Sequence, residues 1–289
     1  MDVNQRCRVV NNRTPRARAL GNVLREVRLD RDIGLRQFAK DIGRDPSLLS
    51  RWETGDRSPT PTDVAQILGK LGITGDRYDE IIELAYGTDD ARWLATTLPE
   101  QRLQLSALLD FERTASLITD VSPLLVPGLL QTSDYARVIM TESGVLAEEV
   151  SPRVAIRLGR REELNRHESV KLVALIGEGA LRQLVGTQQV MVDQLTFLLE
   201  MAGRANVEIR VVPFDSGWHP GLEGPALLID SDTQPSVVHL EFHVSGLFLH
   251  TRADVVAYRQ GADTVAERAM NAEDSLALIA LVKAGWESV

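Results

Sequence analysis

The sequence predicts two domains: an all-α N-terminal domain and an α+β C-terminal domain. Three observations support this. The first 87 residues show helical periodicity with cap residues, β-branched segments recur after residue 121, and the charge changes sign along the chain. With 289 residues, 44% of them hydrophobic, the chain is long enough for two cores of ordinary size.

Five short helices are predicted in the N-terminal domain, residues 16–87. The first covers residues 17–29, whose apolar residues follow the i, i+3, i+4, i+7 spacing of an amphipathic helix. A second helix covers 35–42, and two more cover 61–71 and 78–86, each followed by a glycine. This density of short helices predicts a compact all-α fold.

The remaining helix of this domain lies in "DPSLLSRWETGDRSPT", residues 45–60. Asp45 is a suitable N-cap, and Pro46 suits the first helical position because its missing N–H has no partner there anyway. Leu49 and Trp52 are expected to face the core.

A tight turn at Gly43 joins the second and third helices, which is the spacing of a helix-turn-helix. In that motif the later helix enters the major groove, where serines bond to bases or phosphates and arginine pairs with guanine. The expected DNA contacts of this helix are Ser47, Leu48, Ser50, Arg51 and Thr54. A plain helical hairpin is the alternative interpretation.

Polar side chains around this helix are expected to bind phosphates, which position a protein on DNA without specifying a sequence. These candidates are Arg36, Gln37, Arg44 and Arg57. Glu53 is expected to form a structural ion pair with Arg25 or Arg28. A basic arm either lies along the DNA or is an inactive tail, and both interpretations remain open. The arm carries Arg6, Arg8, Arg13, Arg16 and Arg18.

The charge distribution also separates the two ends of the chain. Residues 1–60 hold 13 basic and 8 acidic residues, whereas the remainder holds 19 and 33, so a net charge of +5 precedes one of −14. A basic head suggests a polyanionic partner for that end alone.

The C-terminal domain is predicted from strands that alternate with helical patterns, which indicates a mixed or antiparallel sheet. The predicted strands cover 171–177, 207–214, 226–230, 237–242 and 247–250. The predicted helices cover 152–166, 178–202, 252–270 and 273–286. The predicted organisation is a disordered arm over 1–15, the DNA-binding domain over 16–87, a helical linker over 88–120 and a regulatory or partner-binding domain over 121–289.

Several classes of protein are disfavoured. No apolar run is long enough for a membrane span, the basic N-terminus lacks a signal-peptide core, and the single cysteine, Cys7, excludes a disulfide framework, so we expect a soluble cytoplasmic protein associated with the nucleoid. Catalytic and nucleotide-binding motifs are missing, so no enzyme and no cofactor is expected. A metal-dependent hydrolase remains a distant alternative, because His239, Glu241 and His243 alternate on a predicted strand with His250 nearby.

The stretch "GLRQFAKDIGRDPSLLSRWETGDRSPT" resembles the Xre or phage-repressor type of helix-turn-helix, and the resemblance covers residues 17–72. It implies a five-helix fold like that of the lambda repressor. The matching residues are Ala39, Gly43, Ser50, Glu53, Gly55 and Pro59. Gly34 and Leu35 depart from the family pattern, which usually has a Ser or Thr N-cap and often a phosphate-contacting Gln at these positions.

The C-terminal domain resembles that of actinobacterial WhiJ-like Xre regulators, through "PLLVPGLLQTSDYARVIM" (123–140), 204–230 and 237–259. Such regulators are often encoded beside a small partner protein and are described as antitoxin-like. From the residues alone, "LLVPGLLQ" either lines a groove or covers the core, and "DSGWHPG" (215–221) is either a contact loop or a structural turn. The candidates for a partner or ligand contact are Leu129, Gln131, Trp218 and His219.

These observations predict a homodimeric, sequence-specific DNA-binding transcriptional regulator that recognises a palindromic operator and senses a ligand or a small protein. The alternative is an antitoxin that neutralises a toxin-like partner and autoregulates its operon.

Overall fold

The computed structural model describes residues 14–88, 90, 92–165, 170–243 and 245–288. The chain forms two compact units. The first contains the described residues up to Leu108 together with Ser245–His250, and the second contains the described remainder. Within the part of the chain that is described, no helix is both long and apolar enough to cross a bilayer.

Five helices form the N-terminal part of the first unit, as predicted. They are α1 (Pro15–Leu29), α2 (Leu35–Asp41), α3 (Pro46–Glu53), α4 (Pro61–Lys70) and α5 (Asp76–Tyr86). Helices α1, α3 and α4 each begin with proline, preceded by a cap residue whose side chain accepts a backbone N–H: Thr14, Asp45 and Thr60.

Helix α3 packs closely against α1 because glycine stands at the crossing. A Cβ added to Gly21 would lie 2.5 Å from the carbonyl oxygen of Trp52, so only glycine fits there. Leu49 and Trp52 are buried, which confirms the predicted inward face of α3. Gly55 follows α3 with φ +71°, a conformation that favours glycine and ends the helix.

A buried ion pair fixes α3 on α1. Arg28 Nε and Nη2 donate to the two carboxylate oxygens of Glu53 at 2.6 and 2.7 Å, and Arg28 Nη1 donates to the Ile33 carbonyl at 2.6 Å. The expected ion pair of Glu53 is confirmed, with Arg28 as its partner. Both side chains are almost completely buried, so each charge depends on the other.

The first unit also contains a short antiparallel pair, β1 (Arg92–Ala95) with β7 (Ser245–Leu249). The rings of Trp93 and Phe248 stack with centroids 6.0 Å apart. Helix α6 (Leu98–Arg113) follows β1, and its residues from Leu109 onward belong to the second unit. The predicted helical linker over 88–120 is therefore wrong at both ends, because alternating burial makes strands of β1 and of the segment after α6.

The second unit contains a mixed sheet, which confirms the predicted α+β class. Its strands are β2 (Leu117–Ser122), β3 (Lys171–Gly177), β4 (Val207–Val212), β5 (Ala226–Asp230) and β6 (Val237–Phe242), in the order β6-β5-β2-β3-β4. Strands β2, β3 and β4 are parallel to one another, whereas β5 is antiparallel to both of its neighbours, β2 and β6. The predicted bounds of β3, β5 and β6 are confirmed, but β2 was not predicted.

Six helices in the described part of this unit surround the sheet: α7 (Ser133–Glu142), α8 (Ala147–Arg160), α9 (Glu178–Arg182), α10 (Gln188–Ala202), α11 (Arg252–Arg268) and α12 (Ala272–Glu287). Helix α12 packs on both α10 and β4. Helix α7 was not predicted, although Thr132 caps it by accepting from the N–H of Tyr135. The predicted helix over 178–202 is two helices, α9 and α10.

The buried pair of α1 and α3 leads to a first testable prediction. The substitution Glu53→Ala leaves Arg28 buried without a counter-charge and should lower the free energy of unfolding by about 3–5 kcal/mol. Urea unfolding measures this loss, and hydrogen exchange of α1 and α3 peptides localises it.

The control is Glu26→Ala, which removes an exposed carboxylate 3.7 Å from Arg77 and should cost only about 0.2–1 kcal/mol. The double variant Arg28→Met with Glu53→Leu should recover most of the stability, because it removes both buried charges. Equal losses for Glu53→Ala and Glu26→Ala would contradict the role assigned to the pair.

Candidate functional site

The pair α2–α3 forms a helix-turn-helix whose turn depends on Gly43. This glycine has φ +65°, and the N–H of Arg44 bonds back to the Ala39 carbonyl at 2.8 Å. The cap of α2 is Gly34, which provides no side-chain hydrogen bond, whereas Asp45 caps α3 by accepting from the N–H of Ser47 at 2.7 Å. The better-capped helix of the pair is therefore α3.

The outer face of α3 is polar and accessible. Ser47, Ser50, Arg51 and Thr54 are spaced i, i+3, i+4 and i+7, so they share one helix face, opposite the buried Leu49. Seven of the nine residues predicted to bind DNA are exposed, and two are half-buried. The exposed ones are Arg36, Gln37, Arg44, Ser47, Arg51, Thr54 and Arg57, and the half-buried ones are Leu48 and Ser50.

Some of these side chains already have partners within the unit. Arg51 Nε donates to the carbonyl oxygen of Ser47 at 3.2 Å, one turn back along its own helix. Gln37 donates to Asp41 at 2.7 Å, and Arg44 forms an ion pair with Asp63 at 2.5 Å. All these interactions are exposed, so an incoming phosphate or base can compete with them at low cost.

Two arginines of the predicted basic arm belong to α1. Arg16 donates to the carbonyl oxygens of Leu84 and Glu83 at 3.1 and 2.8 Å, and Arg18 is buried. The expectation that Arg16 and Arg18 lie on an arm is therefore wrong, because Thr14 caps a helix that starts at Pro15. Arg6, Arg8 and Arg13 lie outside the described residues, as does Cys7.

In the second unit, "PGLLQT" is a short 3₁₀ turn that covers the core. Leu129 and Leu130 are buried, which agrees with the core interpretation of this loop. Gln131 is also buried. Its side-chain amide donates to the Val126 carbonyl at 2.8 Å, and its side-chain oxygen accepts from Arg157 at 3.0 Å.

Arginines of α8 and the turn after it hold this loop in place. Arg161 donates to the Gln131 carbonyl at 2.6 Å, and the guanidinium of Arg160 lies beside Gly128, where an added Cβ would be 3.6 Å from Nη1. Arg160 also donates to both carboxylate oxygens of Glu112 at 2.9 and 2.6 Å, and both side chains are buried. These arginines were missed in the sequence, although their i, i+3, i+4 spacing puts them on one helix face.

Two further buried titratable groups lie in the electrostatic field of Arg160: Asp120 and His239. Burial raises the pKa of Asp120 to about 6, against a hydrogen bond from Ser122 and the charge of Arg160, which lower it. Burial lowers the pKa of His239 to about 4. The second unit therefore encloses a polar cluster of Glu112, Asp120, Arg160 and His239.

The loop "DSGWHPG" separates its two candidate residues. Trp218 is 68% exposed, whereas His219 is buried in the wall of a pocket of about 520 Å³. This pocket is lined by the last residues of three parallel strands, Ser122 of β2, Gly177 of β3 and Val212 of β4. Ligands of open α/β sheets bind outside these carboxyl ends.

Comparison with protein families matches two segments of the chain. Residues 19–81 match a helix-turn-helix domain, and residues 105–280, more than half of the chain, match the domain of unknown function DUF5753. The chain belongs to the DUF5753 family. No curated protein matches it.

The helix-turn-helix match agrees with the geometry of α2 and α3 and suggests a DNA-binding regulator. It also points to a non-enzymatic role. In the DUF5753 domain, the candidate ligands His239 and Glu241 do not share an exposed face, because His239 is buried and Glu241 is exposed. Among the residues described here, no three His, Cys, Asp or Glu side chains are grouped so as to hold a metal ion.

The polar cluster leads to a pH-dependent prediction. Asp120 has a raised pKa in the folded state, so its contribution to stability is lost as the pH rises from its ordinary 3.8 through about 6. His239 has a lowered pKa, so its contribution is lost as the pH falls from its ordinary 6.5 through about 4. The two effects oppose each other in the wild-type protein.

Relative to wild type, Asp120→Asn should gain stability as the pH rises from 4 to 6, and His239→Gln should lose it, each by at most about 1.4 kcal/mol per pH unit. Urea unfolding midpoints at several pH values measure both slopes. If stability depended on pH in the same way in the two variants and in wild type, the assigned pKa shifts of Asp120 and His239 would be contradicted.

Proposed function

We propose that this protein is a sequence-specific transcriptional regulator of the Xre type, which binds operator DNA through α3 and responds to a signal through its DUF5753 domain. The observation that carries the proposal is the polar outer face of α3, held on α1 by the buried Arg28–Glu53 pair. A recognition helix has to be rigid, since a small displacement breaks its bonds to bases.

The base contacts are assigned to Ser47, Ser50 and Arg51. Arg51 presents a planar guanidinium suited to the O6 and N7 acceptors of guanine, and its present bonds to Ser47 are long and exposed. Leu48 is suited to contact a thymine methyl, because it is apolar and only half-buried. Thr54 lies at the C-terminal end of the same face.

The phosphate contacts are assigned to Arg36, Gln37, Arg44 and Arg57. Arg36 and Arg57 are both exposed, and within the described part of the chain neither has a side-chain hydrogen bond or ion pair. Arg44 has to share or exchange its ion pair with Asp63. Such contacts fix the register of the protein on DNA and make binding salt-dependent.

Binding as a homodimer follows from the size of the reading face. One α3 helix reads too few base pairs for useful specificity, whereas two copies related by a two-fold axis read half-sites about one helical turn apart. The operator is accordingly palindromic, and the protein acts on nucleoid DNA in the cytoplasm.

The signal for the DUF5753 domain is proposed to be a ligand or a small protein. An antitoxin would use the same DNA contacts for autoregulation and would in addition bind a toxin-like partner. Purification under native expression separates the two, because an antitoxin is recovered with a stoichiometric small protein.

The assigned DNA-binding residues lead to a prediction with two variants. Arg51→Ala should cost about 1–3 kcal/mol at the operator and relax specificity at one base pair per half-site. Arg57→Ala should weaken binding to all sequences alike and lower the salt slope by about one unit for each phosphate that Arg57 neutralises. Fluorescence anisotropy on operators recovered by chromatin immunoprecipitation measures both.

The matched control is Arg137→Ala, which removes one exposed positive charge from the DUF5753 domain and should leave DNA affinity unchanged. Unchanged operator affinity for Arg51→Ala would refute the base-contact assignment.

A further inference from the structure

We propose that the pocket at the carboxyl ends of β2, β3 and β4 binds a small, uncharged, largely apolar molecule. This inference deepens the proposed function, on which its regulatory meaning rests. It assigns both the site and the chemical class of the ligand in the DUF5753 domain.

The size and position of the pocket suit a small molecule. Its volume of about 520 Å³ lies within the range of about 300–1,000 Å³ that ligand sites occupy. All its lining residues belong to the second unit, and they come from the ends of three parallel strands, from the segments that follow these strands and from α11. A rigid sheet therefore supports the base of the pocket, and loops form its rim.

The walls expose more apolar surface than a structural loop requires. Leu124, Leu125, Phe214 and Leu222 all line the pocket, and each is exposed to solvent, Phe214 by 70% and Leu124 by 72%. A contiguous exposed apolar patch on a folded domain commonly marks a binding site, because burying it in a complex is favourable.

The charge of the lining disfavours anions. Glu178 and Glu223 line the pocket, and none of the described lining residues is a lysine or an arginine. A phosphate or carboxylate would be desolvated there without a counter-charge. A cation gains little, because Glu178 already accepts from the Phe214 N–H and from Arg182, and Glu223 is exposed and screened. An uncharged ligand remains.

His219 adds one polar group to the apolar wall. Its Nδ1 is buried and has no hydrogen-bond partner within the described structure, and burial together with the charge of Arg268 lowers its pKa. The ring is therefore neutral at neutral pH. A buried polar atom without a partner is unusual in a folded domain.

Two glycines decide how the pocket can be tested. A Cβ on Gly177 would lie 2.2 Å from the Pro123 carbonyl oxygen, so a substitution there would distort the fold. A Cβ on Gly179 would lie 3.6 Å from the Phe214 ring, which is ordinary van der Waals distance. Gly179→Leu therefore fills the pocket without a backbone clash. Gly285→Leu is the matched control, because it makes the same change at an open helical position of α12.

The experiment uses two dyes with the same aromatic body on the full-length chain. N-phenyl-1-naphthylamine is uncharged, and 1-anilinonaphthalene-8-sulfonate adds one negative charge. We expect saturable fluorescence enhancement by the uncharged dye at one site per chain, with the sulfonate binding about tenfold or more weakly. Gly179→Leu should weaken the uncharged dye by about tenfold or more, and Gly285→Leu should leave its affinity unchanged.

If Gly179→Leu fails to fold by circular dichroism, Leu222→Glu tests the same wall at an exposed position and should give the same reduction in affinity. Equal binding of the two dyes, or undiminished binding by the pocket variant, would overturn the proposal. So would a change of oligomeric state in Gly179→Leu measured by light scattering, since a second copy would then cover the pocket. Operator binding is measured separately, so a wild-type protein that binds the dye but no DNA refutes the proposed function and leaves this site standing.

Discussion

A buried guanidinium requires a carboxylate partner, and each unit of this protein meets that constraint with a buried bidentate pair. In the first unit Arg28 and Glu53 join α1 to α3, and in the second Arg160 and Glu112 join α8 to α6. A lone charge in either place would cost more than most single interactions supply. The packing of each helix pair therefore tolerates the loss of neither partner alone, and the elements with functional surfaces are attached to those helices.

The two pairs support different kinds of surface. On α3 the consequence is a helix whose buried face is anchored on α1 and whose polar face is open, as direct readout of DNA bases requires. Around Arg160, the buried cluster holds the "PGLLQT" turn in place. The pocket lies at the carboxyl ends of the parallel strands β2, β3 and β4. Burial and hydrogen bonding thus stabilise the framework, and apolar side chains left at its rim are available for a ligand.

Local signals predicted the helix-turn-helix and most strands, and long-range pairing explains what they missed. The cap residue of α3 and the glycines on either side of it lie close to the helix in the chain, so local sequence patterns were sufficient to predict this helix. Strand β2 carries two polar residues, Asp120 and Ser122, which did not suggest a strand. Asp120 is nevertheless buried, where the half-buried Ser122 donates a hydrogen bond to it near Arg160. The sequence predicted only part of the pocket. His219 is among the predicted ligand contacts, but Phe214 falls in the predicted strand 207–214, and its exposure depends on tertiary structure.

Methylation interference on operator DNA measures whether α3 reads the major groove. Dimethyl sulfate methylates guanine at N7, the atom that Arg51 is assigned to bind. We expect methylation of one guanine in each half-site to block wild-type binding, and we expect the block at this guanine to disappear in Arg51→Ala. Wild-type binding that no guanine methylation affects, or the same interference pattern in the variant, would contradict this assignment.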